Sequence, residues 1–498
     1  TRTASSGSSF SFRSNKGSNT SQPTYYDPSK PYLNMAKCGG HGAKTTGSTT
    51  YRFGRWVPVG PSPSFTFDAS IEYGINSDGY PTSMSTASEL LYYVATAEAL
   101  HPSGDYIMKW SGSPTVAIDG STSTYTVTSS SANRIEFTWN GVQLVVSMTA
   151  VGSPVMSDLV ICRAEDEAAV DAGQIFRSEY LAMMNGIAPT RGLAAIRTMD
   201  LTNTNYTADS TTLRPVSFIS WSEAPPAVCA ELAVALGCDL WWCCPHLADA
   251  TYMSDAADAI FAVLDGTSSH VLLEFSNEHW NSGFASYTYG ISAGSSLGST
   301  DTERTFRWQA QQSLALWDAF ETAGFTPGTN QWNVFGGQAA NGNAFTYGCP
   351  YNDPTHGRVQ DSWHFGTVAC YVAFNVDSST KTSYVLGVSP VEDLFSTYSG
   401  GAIPHLGAAL ATLETDIASR ISEIDTYGGH CIFYEGGQHA VGVGSEVNDT
   451  SLTALLVSLQ EMPEMATLYE DLIDMVAASG AWFVCWFTAC DTAEKFGA

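Results

Sequence analysis

The sequence predicts an α/β fold: a (β/α)8 TIM barrel with an inserted antiparallel β-sandwich domain. Three observations favour this class. From about residue 175 onward, strand-like apolar segments alternate with helical segments, the order in which parallel sheets and barrels are built. Two of the strand-like segments run directly into a glutamate. Between residues 62 and 163 the chain shows short alternating runs separated by Gly, Ser and Asn-Gly turns, which are typical of antiparallel strands.

The predicted elements follow in chain order. Residues 1–30 are rich in Ser, Asn, Thr and Gly, which predicts an arm or linker. Residues 31–61 are assigned to the barrel, with a first strand near residues 33–38, and residues 62–163 to the inserted sandwich. Residues 164–498 complete the barrel. Its seven further strands are predicted at 195–199, 240–244, 271–275, 332–336, 370–374, 431–434 and 482–487.

Two strand-like segments place a glutamate at the point where the strand ends. HVLLEFSNEHWN (270–281) reaches Glu278, and HCIFYEGGQH (430–439) reaches Glu435. Residues at the carboxyl ends of parallel barrel strands share one mouth, so both carboxylates are expected on the same face. Two facing carboxyl groups about 5–5.5 Å apart are the machinery of a retaining glycosidase. The sequence therefore predicts cleavage of a glycosidic bond.

The two carboxyl groups need different protonation states. An acid that stays protonated near neutral pH requires an apolar surrounding, and Trp280 next to Glu278 is expected to help supply it. Glu435 is expected to stay ionised as the nucleophile. The glycines that follow it, Gly436 and Gly437, would leave room for a sugar beside the backbone.

The Asn-Glu pair at one strand end, followed by a lone Glu at a later strand end, resembles clan A of the retaining glycoside hydrolases. That resemblance implies that Glu278 is the acid/base, that Asn277 binds the sugar 2-hydroxyl and that Glu435 is the nucleophile. Four segments, AAIRTMDLTN, CDLWWCCPHLAD, EFSNEHWNSGF and YEGGQH, are also similar, in this order, to a bacterial family labelled cellulose-binding or cellulase-like. The chain departs from it at the Cys-Cys pair 243–244.

Further substrate-binding residues are predicted because they lie at strand ends or, for one Trp, where clan A places a sugar platform. They are Arg197, His246, His364, His439 and Trp486. Arg197 has an equally good structural interpretation, since a buried Glu274 would need a cation as its partner. The 13 Trp and 23 Tyr suit a sugar-binding surface, although most aromatic side chains in a chain of this size belong to the core.

The amino-acid composition restricts the classes of molecule that the protein is expected to bind. Only 14% of the residues are charged, against a usual ~25%, and the net charge is −28. This field repels nucleic acid and anionic membranes and favours a neutral polysaccharide or oligosaccharide as the partner. No stretch approaches the ~20 apolar residues of a membrane span. Because the chain begins at Thr1 rather than Met, a removed signal peptide or upstream region, and hence an extracellular or secreted location, is expected.

The 11 cysteines give no metal or redox signature. Their odd number leaves at least one thiol unpaired, and no C-x-x-C pair predicts a zinc site. No metal and no cofactor is therefore predicted.

Three alternatives to a secreted glycosidase differ in what they require. A serine esterase would need a nucleophile elbow, but the formal match at residues 290–294 follows no buried strand. A non-catalytic carbohydrate-binding barrel would keep the aromatic side chains without needing both glutamates. A viral tail-associated depolymerase would share the chemistry and differ in location.

Overall fold

The central unit is a closed barrel of eight parallel strands. The computed structural model describes residues 14–22, 29–39, 45–46, 49–50, 56–59, 73–84, 87, 89–95, 101–119, 124–205 and 213–487. The barrel strands are β1 (Lys16–Asn19), β2 (Ala195–Arg197), β3 (Asp239–Cys244), β4 (Val271–Phe275), β5 (Gln331–Gly336), β6 (Phe365–Val376), β7 (His430–Gly442) and β8 (Val484–Trp486). Each pairs in parallel with its neighbours, and β1 closes the ring against β8. The predicted (β/α)8 barrel is confirmed.

The first barrel strand is not the predicted one. It lies at Lys16–Asn19, inside the stretch that was expected to be an arm, while residues 35–38 form a short 3₁₀ helix. Small side chains are required here: a Cβ on Gly17 would lie 2.6 Å from Cys485 Sγ and 2.7 Å from the Ala195 carbonyl oxygen. The remainder of the predicted arm, residues 1–13 and 23–28, lies outside the described residues.

Helices fill the connections between the strands, as expected for this fold. The longer ones are Ser178–Gly186, Pro226–Leu236, Ala250–Leu264, Ala285–Ala293, Asp301–Ala323, Ser379–Gly387, Leu406–Thr426, Thr450–Gln460 and Pro463–Ser479. Shorter helices are Glu167–Asp171, Asn343–Gly348 and Val359–Ser362, and 3₁₀ turns occur at Ala164–Asp166, Val391–Phe395 and Gly444–Asn448.

The helical stretch between residues 450 and 479 is divided into two helices, Thr450–Gln460 and Pro463–Ser479. Pro463 starts the second helix, at a position where the missing backbone N–H would have no partner within the helix. Gly237, Gly324 and Gly480 take the left-handed conformation that ends a helix.

Two antiparallel sheets of four strands each lie between β1 and β2 in the sequence. One contains Val57–Val59, Glu89–Ala95, Leu144–Ala150 and Thr115–Asp119, in that order; the other contains Ser157–Arg163, Gly104–Ser111, Arg134–Trp139 and Tyr125–Ser131. Buried side chains of both sheets, such as Tyr92 and Phe137, belong to one hydrophobic cluster. Two small hairpins, Thr45–Thr46 with Thr49–Thr50 and Asn352–Asp353 with Gly357–Arg358, complete the sheets.

The barrel interior and the barrel wall have separate cores. Inside the barrel, Trp241, Leu272, Ile432 and other inward side chains form one cluster. A larger cluster fills the space between the strands and the surrounding helices. Among the described residues, no helix has both the length and the apolar character to cross a bilayer.

Strands β6 and β7 extend well past the barrel. Residues 370–376 pair with residues 436–442 after a register shift that follows Val368. The resulting two-stranded ribbon begins next to Glu435 and continues beyond the mouth. Because of this ribbon, the strands of the barrel do not all end at the same level.

Candidate active site

Glu278 is positioned by a kinked strand end. β4 is buried along its whole length, and the chain then turns through two non-glycine residues with positive φ, Ser276 at 63° and Glu278 at 40°. Such conformations are uncommon for side-chain-bearing residues and cluster at functional sites. The turn is held by a hydrogen bond from the Asn281 backbone N–H to the Glu278 carbonyl at 2.7 Å. Asn277 and Glu278 therefore both lie at the carboxyl end of β4.

Glu435 lies in β7 where the ribbon begins. Its side chain is 8% exposed, and it sits opposite the register shift between β6 and β7. A Cβ on the next residue, Gly436, would lie 2.3 Å from Cys370 Sγ. The close packing of the two strands thus explains Gly436, whereas the sequence suggested room for a sugar.

Arg197 connects the two glutamate-bearing strands. Its guanidinium is fully buried and donates to Glu274 Oε2 at 2.9 Å, to Glu435 Oε1 at 2.8 Å and to Asn277 Oδ1 at 2.7 Å. A longer bond of 3.3 Å reaches Asn19 Oδ1. The ion pair with Glu274 confirms the structural interpretation of Arg197, and the bond to Glu435 places the same residue in the site.

The two glutamates have different donors. Glu435 receives the charged Arg197 and, at 3.0 Å, the Tyr371 hydroxyl. Within the part of the chain that the structure describes, the donors to Glu278 are neutral: the Tyr434 hydroxyl at 2.9 Å and Asn281 Nδ2 at 2.8 Å. Because Tyr434 precedes Glu435 in β7, it ties β7 to the end of β4.

Burial raises the pKa of both carboxyl groups. For Glu435 the Arg197 guanidinium opposes this effect, and the charge of Glu278 adds to it. For Glu278 the hydrogen bonds from Asn281 and Tyr434 oppose it. The expected raised pKa of Glu278 is found, and the pKa of Glu435 is raised as well because its carboxyl lies beneath the mouth rather than in solvent. Interacting acids of this kind titrate as a pair.

Several predicted residues lie at the same end of the barrel. His246 follows β3, is buried, and contacts the Tyr289 ring edge-on at 5.6 Å, with its Nδ1 unpaired among the described residues. Trp280 packs against the hydrophobic cluster of the barrel wall. Trp486 ends β8 and packs near Tyr469, with ring centroids 6.5 Å apart.

His439 lies on the ribbon, four residues beyond Glu435. Its ring is 5.4 Å from that of Tyr371, the residue that donates to Glu435. Its Nδ1 is 2.8 Å from Asn375 Oδ1 on the paired strand. His439 therefore contacts Tyr371, which in turn donates a hydrogen bond to Glu435.

The structure does not bring His364 to this group. β6 starts at Phe365, five residues earlier than predicted. His364 directly precedes this strand and lies at the amino end of the barrel. There it accepts the Asn333 backbone N–H at 3.0 Å and packs against Trp332. Residues at the amino end of such a barrel usually contribute to stability rather than to the active site.

Sequence reasoning missed Tyr371, Tyr434 and Asn19. Tyr434 stands beside Glu435 in the sequence, but nothing local shows that its hydroxyl reaches Glu278. Asn19 Nδ2 donates to the Tyr434 carbonyl at 2.9 Å and to the Cys485 carbonyl at 3.2 Å, which holds β1 against β7 and β8. These contacts depend on register across the closed barrel.

The described residues contain no group of three His, Cys, Asp or Glu side chains arranged for a metal ion. The ten described cysteines are all buried.

Glu278→Gln is expected to stabilise the protein at alkaline pH relative to acid pH. Because the pKa of Glu278 is raised in the folded state, the folded protein binds more protons than the unfolded chain above the ordinary pKa of ~4.3. Its contribution to stability is full below that pKa and is lost as the pH rises through the folded value. Glutamine stays neutral and still accepts from Tyr434, so the variant avoids this loss.

Thermal unfolding at about pH 4 and about pH 8 measures this effect, since both values bracket the ordinary pKa of Glu. The Tm of the variant minus that of the wild type should be larger at the higher pH. Glu231→Gln, on the exposed side of helix Pro226–Leu236, is the matched control and should show no such difference. Equal pH dependence in the wild type and Glu278→Gln would contradict the raised pKa.

No protein-family model and no curated protein matches this chain. Solved structures that resemble it include a 4-O-α-L-rhamnosyl-β-D-glucuronidase from Fusarium oxysporum 12S (12% identity, 61% of this chain, 57% of that chain, TM-score 0.34). Others are a modular endo-β-1,4-mannanase from Cellulomonas fimi (15%, 61%, 60%, 0.34) and a family 51 α-L-arabinofuranosidase from Bifidobacterium longum (12%, 63%, 61%, 0.35). The match thus spans about three-fifths of each of these enzymes, and likeness at this level does not decide what the chain acts on.

Proposed function

We propose that the chain is a retaining glycoside hydrolase that cleaves a polysaccharide or oligosaccharide through a covalent glycosyl-enzyme. The observation that carries this proposal is the pair Glu278 and Glu435, which are linked through Arg197 and Asn277. Glu278 lies just after the carboxyl end of β4, and Glu435 lies in β7 where the ribbon begins. Retaining enzymes need one carboxyl group on each side of the scissile bond, about 5–5.5 Å apart.

Glu435 is the proposed nucleophile. Its carboxylate is held by one cation and one hydroxyl, which fix its orientation and favour the charged form. Glu278 is the proposed acid/base, because its hydrogen-bond donors are neutral, whereas the Arg197 guanidinium opposes the effect of burial on the pKa of Glu435. The proposed mechanism requires the single proton of the pair to reside on Glu278.

The reaction then proceeds in two steps. Glu278 gives its proton to the leaving glycosidic oxygen while a carboxylate oxygen of Glu435 bonds to the anomeric carbon. Glu278, now ionised, takes a proton from water as that water attacks the same carbon and releases Glu435. Two displacements at one carbon restore its original configuration.

The remaining substrate contacts are proposed on position. Asn277 is assigned to the sugar 2-hydroxyl, and its Nδ2, which donates to Asn205 Oδ1 at 3.3 Å, faces away from Arg197. His246, Trp280, His439 and Trp486 belong to strands or loops at the same end of the barrel and would bind neighbouring parts of the glycan. His364 is left out because it lies at the other end.

The location and the domain division are proposals too. We assign the two antiparallel sheets, which share a hydrophobic cluster, to the predicted sandwich of residues 62–163, extended at its start to include the strand Val57–Val59. A secreted or virion-associated enzyme fits the acidic, weakly charged composition.

The function is tested by incubating the protein with a panel of cell-wall, algal and bacterial exopolysaccharides and measuring the release of reducing ends. Proton NMR of the first product formed then gives its anomeric configuration. Release with retained configuration is expected. An inverted product would contradict the mechanism, and binding of a glycan without any release would favour a carbohydrate-binding protein instead.

A further inference from the structure

A third carboxylate, Glu274, lies beneath the two glutamates and takes no part in the proposed bond cleavage. Its side chain is 3% exposed. One oxygen, Oε2, accepts three donors: Arg197 Nε at 2.9 Å, Trp241 Nε1 at 2.9 Å and Cys243 Sγ at 3.4 Å. Oε2 therefore forms an ion pair with Arg197 and receives two further donors from β3.

The other oxygen of Glu274 has little free space. A Cβ on Gly336 of β5 would lie 3.2 Å from Oε1. Groups from β2 and β3 therefore hold Glu274 against Arg197, and a side chain at position 336 would crowd its second oxygen.

We propose that Glu274 is a positioning residue that supplies the standing counter-charge of Arg197, so that the guanidinium holds Glu435 without neutralising it. Arg197 offers Nε to Glu274 and a different nitrogen to Glu435. With Glu274 present, one cation serves two carboxylates, and Glu435 keeps enough electron density to attack carbon. This inference rests on the proposed function, and it adds a residue that sets the pH range of the reaction.

Several buried thiol and tyrosine hydroxyl groups also surround the two glutamates. Burial raises the pKa values of the Cys243, Cys370 and Cys485 thiols and of the Tyr371 and Tyr434 hydroxyls, so all five stay neutral while the glutamates titrate. Among the described residues, the largest charges that act on the pair from outside it are those of Arg197, Glu274 and Asp200, which follows β2. The charge of Glu274 is also among the causes that raise the pKa of Glu278, after burial.

Glu274→Gln tests the proposal because it keeps the shape and an acceptor oxygen but removes the charge. Arg197 would then turn its full attraction to Glu435. Both titration midpoints of the Glu278–Glu435 pair should move to lower pH by roughly one unit, the size of one nearby charge in a buried site. Both limbs of the pH profile of kcat/KM should move with them, and kcat should fall because a more strongly held carboxylate is a weaker nucleophile.

The midpoints are measured without any substrate, by ¹³C NMR titration of the full chain labelled at glutamate Cδ. The two resonances are assigned by comparison with Glu278→Gln and Glu435→Gln. This separates two failures. A wild type that hydrolyses no glycan while the midpoints still shift would sink the proposed function only. Midpoints that stay in place in Glu274→Gln would overturn the role of Glu274.

Trp241→Phe is the matched control, because it removes one donor to Glu274 and changes no charge. It should leave the midpoints within a few tenths of a unit, and an equal shift in Trp241→Phe would mean that Glu274 acts only by packing. If Glu274→Gln does not fold, Glu274→Asp takes its place, because it keeps a carboxylate but withdraws it from Arg197 by one methylene. Both midpoints should then move to lower pH by a smaller amount, and unchanged midpoints would reject the proposal.

Discussion

Glu278→Gln and Glu435→Gln are each expected to lower kcat on the natural glycan by several orders of magnitude while the fold is kept. Glutamine at 435 cannot form the glycosyl ester, and glutamine at 278 cannot give a proton to the leaving oxygen. Both substitutions preserve the size of the side chain and an oxygen that can accept from Tyr371 or Tyr434. The loss should therefore be chemical rather than structural.

Reducing-end release and circular dichroism, measured on the same preparations, check this prediction. Glu231→Gln carries the same change on an exposed helix face and should keep wild-type turnover. If either active-site variant retained a near wild-type rate, that glutamate would be removed from the mechanism.

The positions of most barrel strands could be predicted because their signal is local. β3 and β4 are runs of buried residues, and the sequence shows them as mainly apolar stretches, with Asp239 at the start of β3 and Glu274 within β4. The same holds for the segment that leads to Glu435. A glutamate directly after such a run has to emerge at the carboxyl end of a strand, so both carboxyl groups were assigned to one face without knowledge of the other strands.

The first strand could not be predicted in this way. Its sequence, KGSN, carries no apolar side chain, and Gly17 is there because Cys485 and Ala195 approach from either side. These neighbours lie far away in the sequence. The polar texture that suggested an arm instead reflects close packing in a closed barrel.

His364 shows how a strand boundary decides the face of a barrel. The apolar signal of the sixth strand begins near Cys370, but β6 starts at Phe365. A histidine just before a strand lies at the amino end, opposite Glu278 and Glu435. His364 precedes both the predicted strand at 370–374 and β6, so the same rule already set it apart from residues at the carboxyl ends of strands.

The connections within the site depend on register, which no local pattern contains. Arg197 could be matched with Glu274 from charge alone, and the structure confirms that pair. Its second carboxylate, Glu435, and the crossing of Tyr434 to Glu278 follow from the way β7 is set between β6 and β8. The chemistry of the pair is thus readable from sequence, whereas the tuning of its charges is not.

The second large effect concerns rescue of truncated variants. Glu435→Gly should be inactive on the natural glycan but should use a glycosyl fluoride of inverted anomeric configuration. The space left by the side chain accepts the fluoride on the face that Glu435 normally attacks, and Glu278 remains to assist the incoming sugar hydroxyl as a base. Product formation is followed by fluoride release and by mass spectrometry of the lengthened oligosaccharide.

Glu278→Ala should behave differently. An activated aryl glycoside needs no acid to leave, so Glu435 should still form the glycosyl-enzyme, which should then accumulate because no base activates water. Added azide should release it as a glycosyl azide of retained configuration, with a rate that rises with azide concentration. Among the described residues, the hydrogen-bond donors to the Glu278 carboxyl group are Tyr434 and Asn281. Its truncation therefore leaves the ion pairs of Arg197 intact. A binding protein would show neither behaviour, and exchanged phenotypes would mean that Glu278 is the nucleophile and Glu435 the acid.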